Sequence, residues 1–311
     1  MTTYSPQAGS ASARAVAVGM DAVARRMQSI ILLSGSVRST GLMAAVGRSP
    51  LDLPIDSRRA LRDLWRDAAL DVARVLGAGR LVVRILADHD TPAPALFDAG
   101  ENLDLRLERD ASEFRGTGGI LRDACSGYAD DDWVLMASAA QLLTEPLGNL
   151  LEEMANTRGE IVLVSHADGT PSGLMLIRCG SLKLIPEVGF VDMREQALPI
   201  IAARHRVTVI NRTRPTGLPL RTLSQYIAAL RRLHAGAEAS NAFAEDWFPS
   251  FAIVEDGAAV DPSARMHDSV VLRGARLGRS STVVRCVICP GGVVDAGRAV
   301  VDELVTPLGK R

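Results

Sequence analysis

The chain has 311 residues, 47% of them hydrophobic, enough to bury one full core and to carry a second, smaller unit. Its formal net charge of -1 offers no global basic field for nucleic acid or an anionic membrane surface, and no apolar run approaches the ~20 residues of a membrane span. Four cysteines over this length do not make a disulfide framework, so a soluble cytoplasmic protein is expected.

Residues 1–28 are rich in Ala, Ser and Gly and read as a flexible tail, with one helical turn around residues 21–27. Over residues 29–235 apolar strands alternate with helical periodicity, which predicts a layered α/β domain. The first strand, Ile30-Ile31-Leu32-Leu33, runs into a small-residue turn, Ser34-Gly35-Ser36-Val37-Arg38. Asp56 or Ser57 can cap a helix that places Leu61, Leu64, Trp65, Ala68 and Val72 on one face. Residues 81–86 make a short buried strand, and the alternation of residues 103–107 suits a strand exposed on one side. Asp130-Asp131-Asp132 is a charged turn before the buried strand at residues 133–136. An amphipathic helix at residues 147–154 precedes another buried strand at residues 161–164. The pair Asp168-Gly169 then suits a tight hairpin turn. A helix over residues 223–233 closes the domain.

Residues 236–256 form a connector. It holds Phe243, Trp247, Phe248 and Phe251, four of the chain's 12 aromatics, which suits packing of one unit on the other rather than mere tethering. Over residues 257–311 the texture changes. Laid out every 17 residues, Val260, Leu277 and Val294 coincide, as do Met266, Val283 and Val300, and Val271, Ile288 and Val305. Within each repeat the apolar positions step by six, five and six. Steps of this kind resemble the hexapeptide-type left-handed parallel β-helix, in which three short strands make one triangular coil. Cys286-x-x-Cys289 lacks a second pair for zinc, and His267 has too few coils around it for an acyl-transfer cleft.

Motifs in order along the chain carry a resemblance to the sugar-1-phosphate nucleotidyltransferases. They are the strand and turn through Gly35, then Arg48-Ser49-Pro50-Leu51-Asp52-Leu53-Pro54, then Gly116-Thr117-Gly118-Gly119-Ile120-Leu121-Arg122. Gly189-Phe190-Val191-Asp192-Met193-Arg194-Glu195-Gln196-Ala197-Leu198-Pro199 and Arg221-Thr222-Leu223-Ser224-Gln225-Tyr226 follow. Short β-helices often follow the catalytic domain in that family, so the repeats agree with the resemblance. It implies a Rossmann-like nucleotidyltransferase domain followed by a short left-handed β-helix. It also implies a nucleotide site built from Leu33, Ser34, Gly35, Ser36, Arg38, Arg48, Gly116, Thr117, Gly118 and Gly119. Glycines let backbone approach a flat base, and guanidinium groups suit phosphate.

The family's charged chemistry is replaced. By the resemblance, Thr40 stands at an arginine position, Pro50 at the lysine, and Ala137-Ser138 and Pro219 at the two metal aspartates. The sugar-binding segment expected before Gly173 is missing. Magnesium would be required only if the protein is active. The expectation is a catalytically impaired binding or regulatory subunit for a nucleotide or sugar nucleotide, without nucleic-acid or membrane partners, assembled as a homo-oligomer through the β-helix. The alternatives are an active enzyme with rebuilt metal ligands and a scaffold that binds no ligand.

Overall fold

The computed structural model describes residues 19–35, 41–87, 92–96, 99–109, 115–235 and 250–307. Chain order begins α1 (Met20–Arg26), β1 (Met27–Ser34), α2 (Gly41–Val46), α3 (Leu61–Leu76), β2 (Leu81–Ala87), β3 (Leu103–Arg109), α4 (Gly116–Ala124), β4 (Trp133–Ser138) and β5 (Gln141–Leu143). It continues α5 (Leu147–Asn156), β6 (Ile161–His166), β7 (Pro171–Arg178), α6 (Cys179–Leu182), α7 (Leu198–Ala202), β8 (Val207–Arg212), β9 (Gly217–Pro219) and α8 (Leu223–His234). No helix among the described residues is long and apolar enough to cross a membrane.

Seven strands form one twisted sheet in the order β3-β2-β1-β4-β7-β6-β8, and only β7 runs antiparallel to its neighbours. The period-2 alternation of strand side chains splits the core into two layers. Ile30 and Leu32 of β1 face one layer with α3, α5 and α8; Ile31 and Leu33 face the other with α4 and Ile201 of α7. Short βα turns and right-handed crossovers explain why parallel strands dominate. The chain moves outward from β1 to β2 and β3, then returns to place β4 on the opposite side of β1. That reversal opens a crevice at the carboxyl ends of β1 and β4.

Two local expectations are corrected. The tail ends sooner than residue 28, because α1 is ordered against the core with Val23 fully buried and β1 begins at Met27. Neither Asp56 nor Ser57 caps α3. The Asp56 carboxylate instead accepts from the amides of Arg58 and Arg59, closing the preceding turn. The helix starts at Leu61, and Asp63 reaches back to the Ala60 amide at 2.8 Å. The three aspartates at 130–132 do serve a turn: Asp132 accepts from the Ala129 amide at 2.9 Å, and Asp131 pairs with Arg178.

After residue 250 come ten short strands: β10 (Ala252–Val254), β11 (Ala259–Val260), β12 (Arg265–His267), β13 (Ser269–Val271), β14 (Arg276–Leu277), β15 (Thr282–Val284), β16 (Val287–Ile288), β17 (Val293–Val294), β18 (Ala299–Val301) and β19 (Leu304–Val305). They stack as three parallel sheets, β10-β13-β16-β19, β11-β14-β17 and β12-β15-β18. Val260 pairs with Leu277 and Leu277 with Val294; Met266, Val283 and Val300 align likewise, as do Val271, Ile288 and Val305. These residues fill a separate core between the three faces. The corners repeat at the same interval. Gly257, Gly274 and Gly291 have φ of 88, 80 and 76°, and Asp268, Arg285 and Asp302 have φ of 46, 52 and 54°. The stack is therefore a triangular parallel β-helix. It begins earlier than residue 257, because β10 already pairs with β13.

The β10-β13-β16-β19 face lies against the α/β unit. Phe251, Ile253, Val270, Leu272, Val287 and Cys289 share one core with Tyr226, Ile227 and Leu230 of α8. Phe251 stacks on His234 with ring centroids 5.3 Å apart. The other three connector aromatics, Phe243, Trp247 and Phe248, lie outside the described residues.

Candidate functional site

A cavity of about 480 Å³ opens at the reversal between β1 and β4. Leu33 and Met136 come to it from those strands, Met175 and Gly173 from β7, and Met43 and Leu220 from the layer beyond. Four of the chain's nine methionines, Met43, Met136, Met175 and Met193, line it. Methionine side chains are flexible and polarizable, so they present an adaptable apolar wall. The lining charges among the described residues are two arginines, Arg194 and Arg221; no carboxylate contributes. Neither guanidinium has an ion-pair or hydrogen-bond partner among the described residues.

Of the ten residues expected to hold a nucleotide, Leu33, Gly35 and Thr117 line this cavity. Ser36 and Arg38 lie outside the described residues. Ser34 is fully buried, and its hydroxyl meets the Ser49 hydroxyl at 3.0 Å. Ser49 in turn accepts from the Leu51 amide at the start of a 3₁₀ turn, Pro50–Asp52. Ser34 thus fastens the end of β1 to the following loop.

Arg48 lies outside the cavity lining and is engaged within the protein. Its guanidinium makes a two-pronged ion pair with Glu255, at 2.6 and 3.0 Å, with both side chains about one-fifth exposed. Glu255 also accepts from the Arg273 amide at 2.8 Å. A bidentate guanidinium–carboxylate pair of this kind is directional as well as attractive. It bolts the loop after α2 to the β-helix, and its charge is already neutralised.

The glycine turn is likewise committed to the protein's own backbone. Gly116 has φ of 69°, and a Cβ there would lie 2.6 Å from the Val191 carbonyl oxygen. The Gly118 and Gly119 amides donate to that same oxygen at 2.9 and 3.3 Å. The Val191 amide donates back to the Arg115 carbonyl at 2.9 Å. Two of the amides an anion would take at the start of α4, those of Gly118 and Gly119, are therefore occupied. Thr117 completes the clasp: its Oγ1 accepts from the Met193 amide at 3.0 Å and donates to Asp192 at 3.4 Å. A close approach of backbone does demand glycine here, but the approaching group is residues 190–193.

Arg115, only 5% exposed, secures the same segment. It donates to the Gly189 carbonyl at 2.6 Å and the Pro186 carbonyl at 3.3 Å. Two more donor–acceptor contacts, at 2.8 and 3.0 Å, tie it to Asp123. Burial pushes the Asp123 carboxyl up, but the hydrogen bonds and charges of Arg115 and Arg122 outweigh it, and the group sits below its ordinary value. Asp123 is therefore an anion at neutral pH, serving as the anchor of the clasp.

Of the two positions where the resemblance expects metal aspartates, one reaches the crevice. Ser138 at the end of β4 lines the cavity, whereas Pro219 at the end of β9 is exposed and only its neighbours Leu220 and Arg221 line it. Asp168 does not replace them: its carboxylate accepts from the amide and hydroxyl of Thr170, closing the β6–β7 hairpin at Gly169. No group of three His, Cys, Asp or Glu among the described residues could hold a metal ion. A magnesium ion asks for hard, anionic oxygen ligands, and two arginines with no carboxylate are the wrong donor set.

Sequence reasoning missed Arg194 as a lining residue, the four methionines, and Gln141. Gln141 is 5% exposed, and its Nε2 lacks a hydrogen-bond partner among the described residues. Met193, Arg194 and Arg221 all lay within matched motifs, which is the signal that could have found them.

No family model matches the chain, and no curated protein matches it. Among solved structures, the crystal structure of HddC from Yersinia pseudotuberculosis is similar with a TM-score of 0.48 and 13% identity, over 67% of this chain and 100% of that one.

Proposed function

We propose that this protein is a catalytically silent relative of the sugar-1-phosphate nucleotidyltransferases, working in sugar-nucleotide metabolism as a binding or regulatory subunit. The observation that carries the reading is the cavity itself. It keeps its place at the strand reversal, while Ser138 and Pro219 occupy the expected metal-ligand positions and no carboxylate lines it among the described residues. In the reaction, a sugar-1-phosphate oxygen attacks the α-phosphorus of a nucleoside triphosphate, and pyrophosphate leaves. Two anions must meet, so the chemistry depends on neutralising groups fixed around the phosphates. Loss of one such group typically lowers the rate by roughly 10²–10³.

Pyrophosphate release from the common triphosphates and sugar-1-phosphates, with magnesium, is expected to match the protein-free background. Turnover at about 1 s⁻¹ or faster, in the ordinary enzyme range, would overturn the reading in favour of an active enzyme with ligands recruited from elsewhere.

The β-helix supports an assembly role beside this. Its last described coil ends in strands β17, β18 and β19, each paired on one side only among the described residues. Val293 and Val301 on that coil are 45% and 52% exposed. Unpaired strand edges with apolar side chains invite a further strand, and closed symmetric contacts between copies are the common solution. Light scattering of the full chain at tens of micromolar is expected to give a homo-oligomer; a monomer throughout that range would remove the assembly role.

A further inference from the structure

Two features of the cavity wall describe a ligand other than a sugar nucleotide. The first is the apolar surface. A sugar and a base carry many hydroxyl, carbonyl and amino groups, and each buried without a partner costs free energy. Against Leu33, Met136, Met175 and Leu220 such groups find few partners. The second is the charge: Arg194 and Arg221 stand without an opposing carboxylate in the wall among the described residues. Gln141 lies close by. Its carbonyl end faces Gly217, where a Cβ would lie 2.3 Å from Oε1, and its amino end faces Gly173. Nε2 lies 3.5 Å from where a Gly173 Cβ would be, beside Ser138, and both Gly173 and Ser138 line the cavity. Gln141 is not itself a lining residue, so this buried donor sits behind the wall that Gly173 and Ser138 form.

We propose that the cavity binds an amphiphilic anion, a molecule with an aliphatic or fused-ring body and a carboxylate or phosphate head. Its apolar body lies against the methionine wall, and Arg194 and Arg221 meet the head. A volume near 480 Å³ is within the range that encloses most of a drug-sized molecule. The inference rests on the reading that this cavity binds rather than turns over its ligand, and it replaces the expected nucleotide with a more apolar anion. Anion recognition passes from the glycine turn, where the Gly118 and Gly119 amides are occupied, to the two arginines.

The test is calorimetry on the full chain with decanoate and decyl phosphate, below the concentrations at which they aggregate. Displacement of anilinonaphthalene sulfonate serves as an independent readout. Saturable binding is expected for at least one, with decanol at least tenfold weaker. Arg194→Gln with Arg221→Gln should weaken the anion tenfold or more and leave decanol unchanged; both side chains are exposed, so the fold should tolerate them. The carboxylate and phosphate arms separate the two kinds of head group.

Absence of saturable binding to either anion would overturn the proposal. So would binding that ignores both the head group and the two arginines, since that is nonspecific adsorption. Tighter binding of UDP-glucose or GDP-mannose, competing with the alkyl anions, would return the cavity to sugar nucleotides. Magnesium-dependent pyrophosphate release would remove the silent-enzyme reading, whereas these binding outcomes are read on the same protein without triphosphate, so the two failures are separable.

Discussion

Deleting residues 250–311 is expected to leave an α/β unit that is insoluble or melts at least roughly 10 °C below the full chain, where about 1 kcal/mol corresponds to a few degrees. The reason is that the β-helix does not hang from a tether. Phe251, Ile253, Val270, Leu272, Val287 and Cys289 continue the core that holds Tyr226, Ile227 and Leu230 of α8. Their removal would expose that face of α8, including Tyr226, which is fully buried and donates to the Pro54 carbonyl at 2.5 Å. Re-exposing a large apolar side chain costs about 1.5–3 kcal/mol. Two or three of them together are on the order of a domain's whole net stability.

Polar fastenings would go as well. Arg231 pairs with Asp268, and Asp268 also accepts from the Phe251 amide at 3.2 Å. Arg48 would lose Glu255 and be left as a half-buried cation. Size-exclusion chromatography with light scattering, anilinonaphthalene sulfonate binding and thermal melting of the truncated protein measure the effect. A monodisperse truncated unit with an unchanged melting point would show that the two units are energetically independent.

The β-helix register was legible because each coil repeats one physical requirement. The inward residue must be apolar, and the corner must accept left-handed backbone, so Val260, Leu277 and Val294 align in the structure as they do in the sequence. The alternating α/β elements were legible from local periodicity, with boundaries moved by a few residues. What escaped was pairing between distant positions. Arg48 reads as a phosphate ligand because its ion-pair partner, Glu255, is 207 residues away and invisible to local pattern. The glycines at 116–119 read as a nucleotide turn because glycine signals a close approach without naming the approaching group, which in the structure is the backbone at Val191. Val191 lies some 75 residues on, and no local pattern announces it. Periodicity shows that a methionine or leucine is buried, but not that four methionines converge on one empty space.

Gly116→Val is expected to be among the most damaging single substitutions in the chain, costing about 3–5 kcal/mol, in the exceptional range for a point change. Two costs act together. Backbone at φ of 69° suits glycine and is unfavourable by about 1–2 kcal/mol for a residue with a Cβ. The added Cβ would also meet the Val191 carbonyl oxygen at 2.6 Å and its carbon at 2.8 Å, both backbone atoms with no rotamer to escape into. Yielding would break the hydrogen bonds from Gly118 and Gly119 to that oxygen, and with them the clasp that sets Met193 and Arg194 in the cavity wall. Gly169→Val separates the two costs. Gly169 has a similar φ of 78°, but a Cβ there meets nothing within 4 Å, so it should cost only the backbone strain of about 1–2 kcal/mol. Thermal and urea denaturation of the two variants give the comparison directly. If Gly116→Val proves no worse than Gly169→Val, residues 190–193 do not press on the glycine turn, and the turn's amides are open to an anion after all.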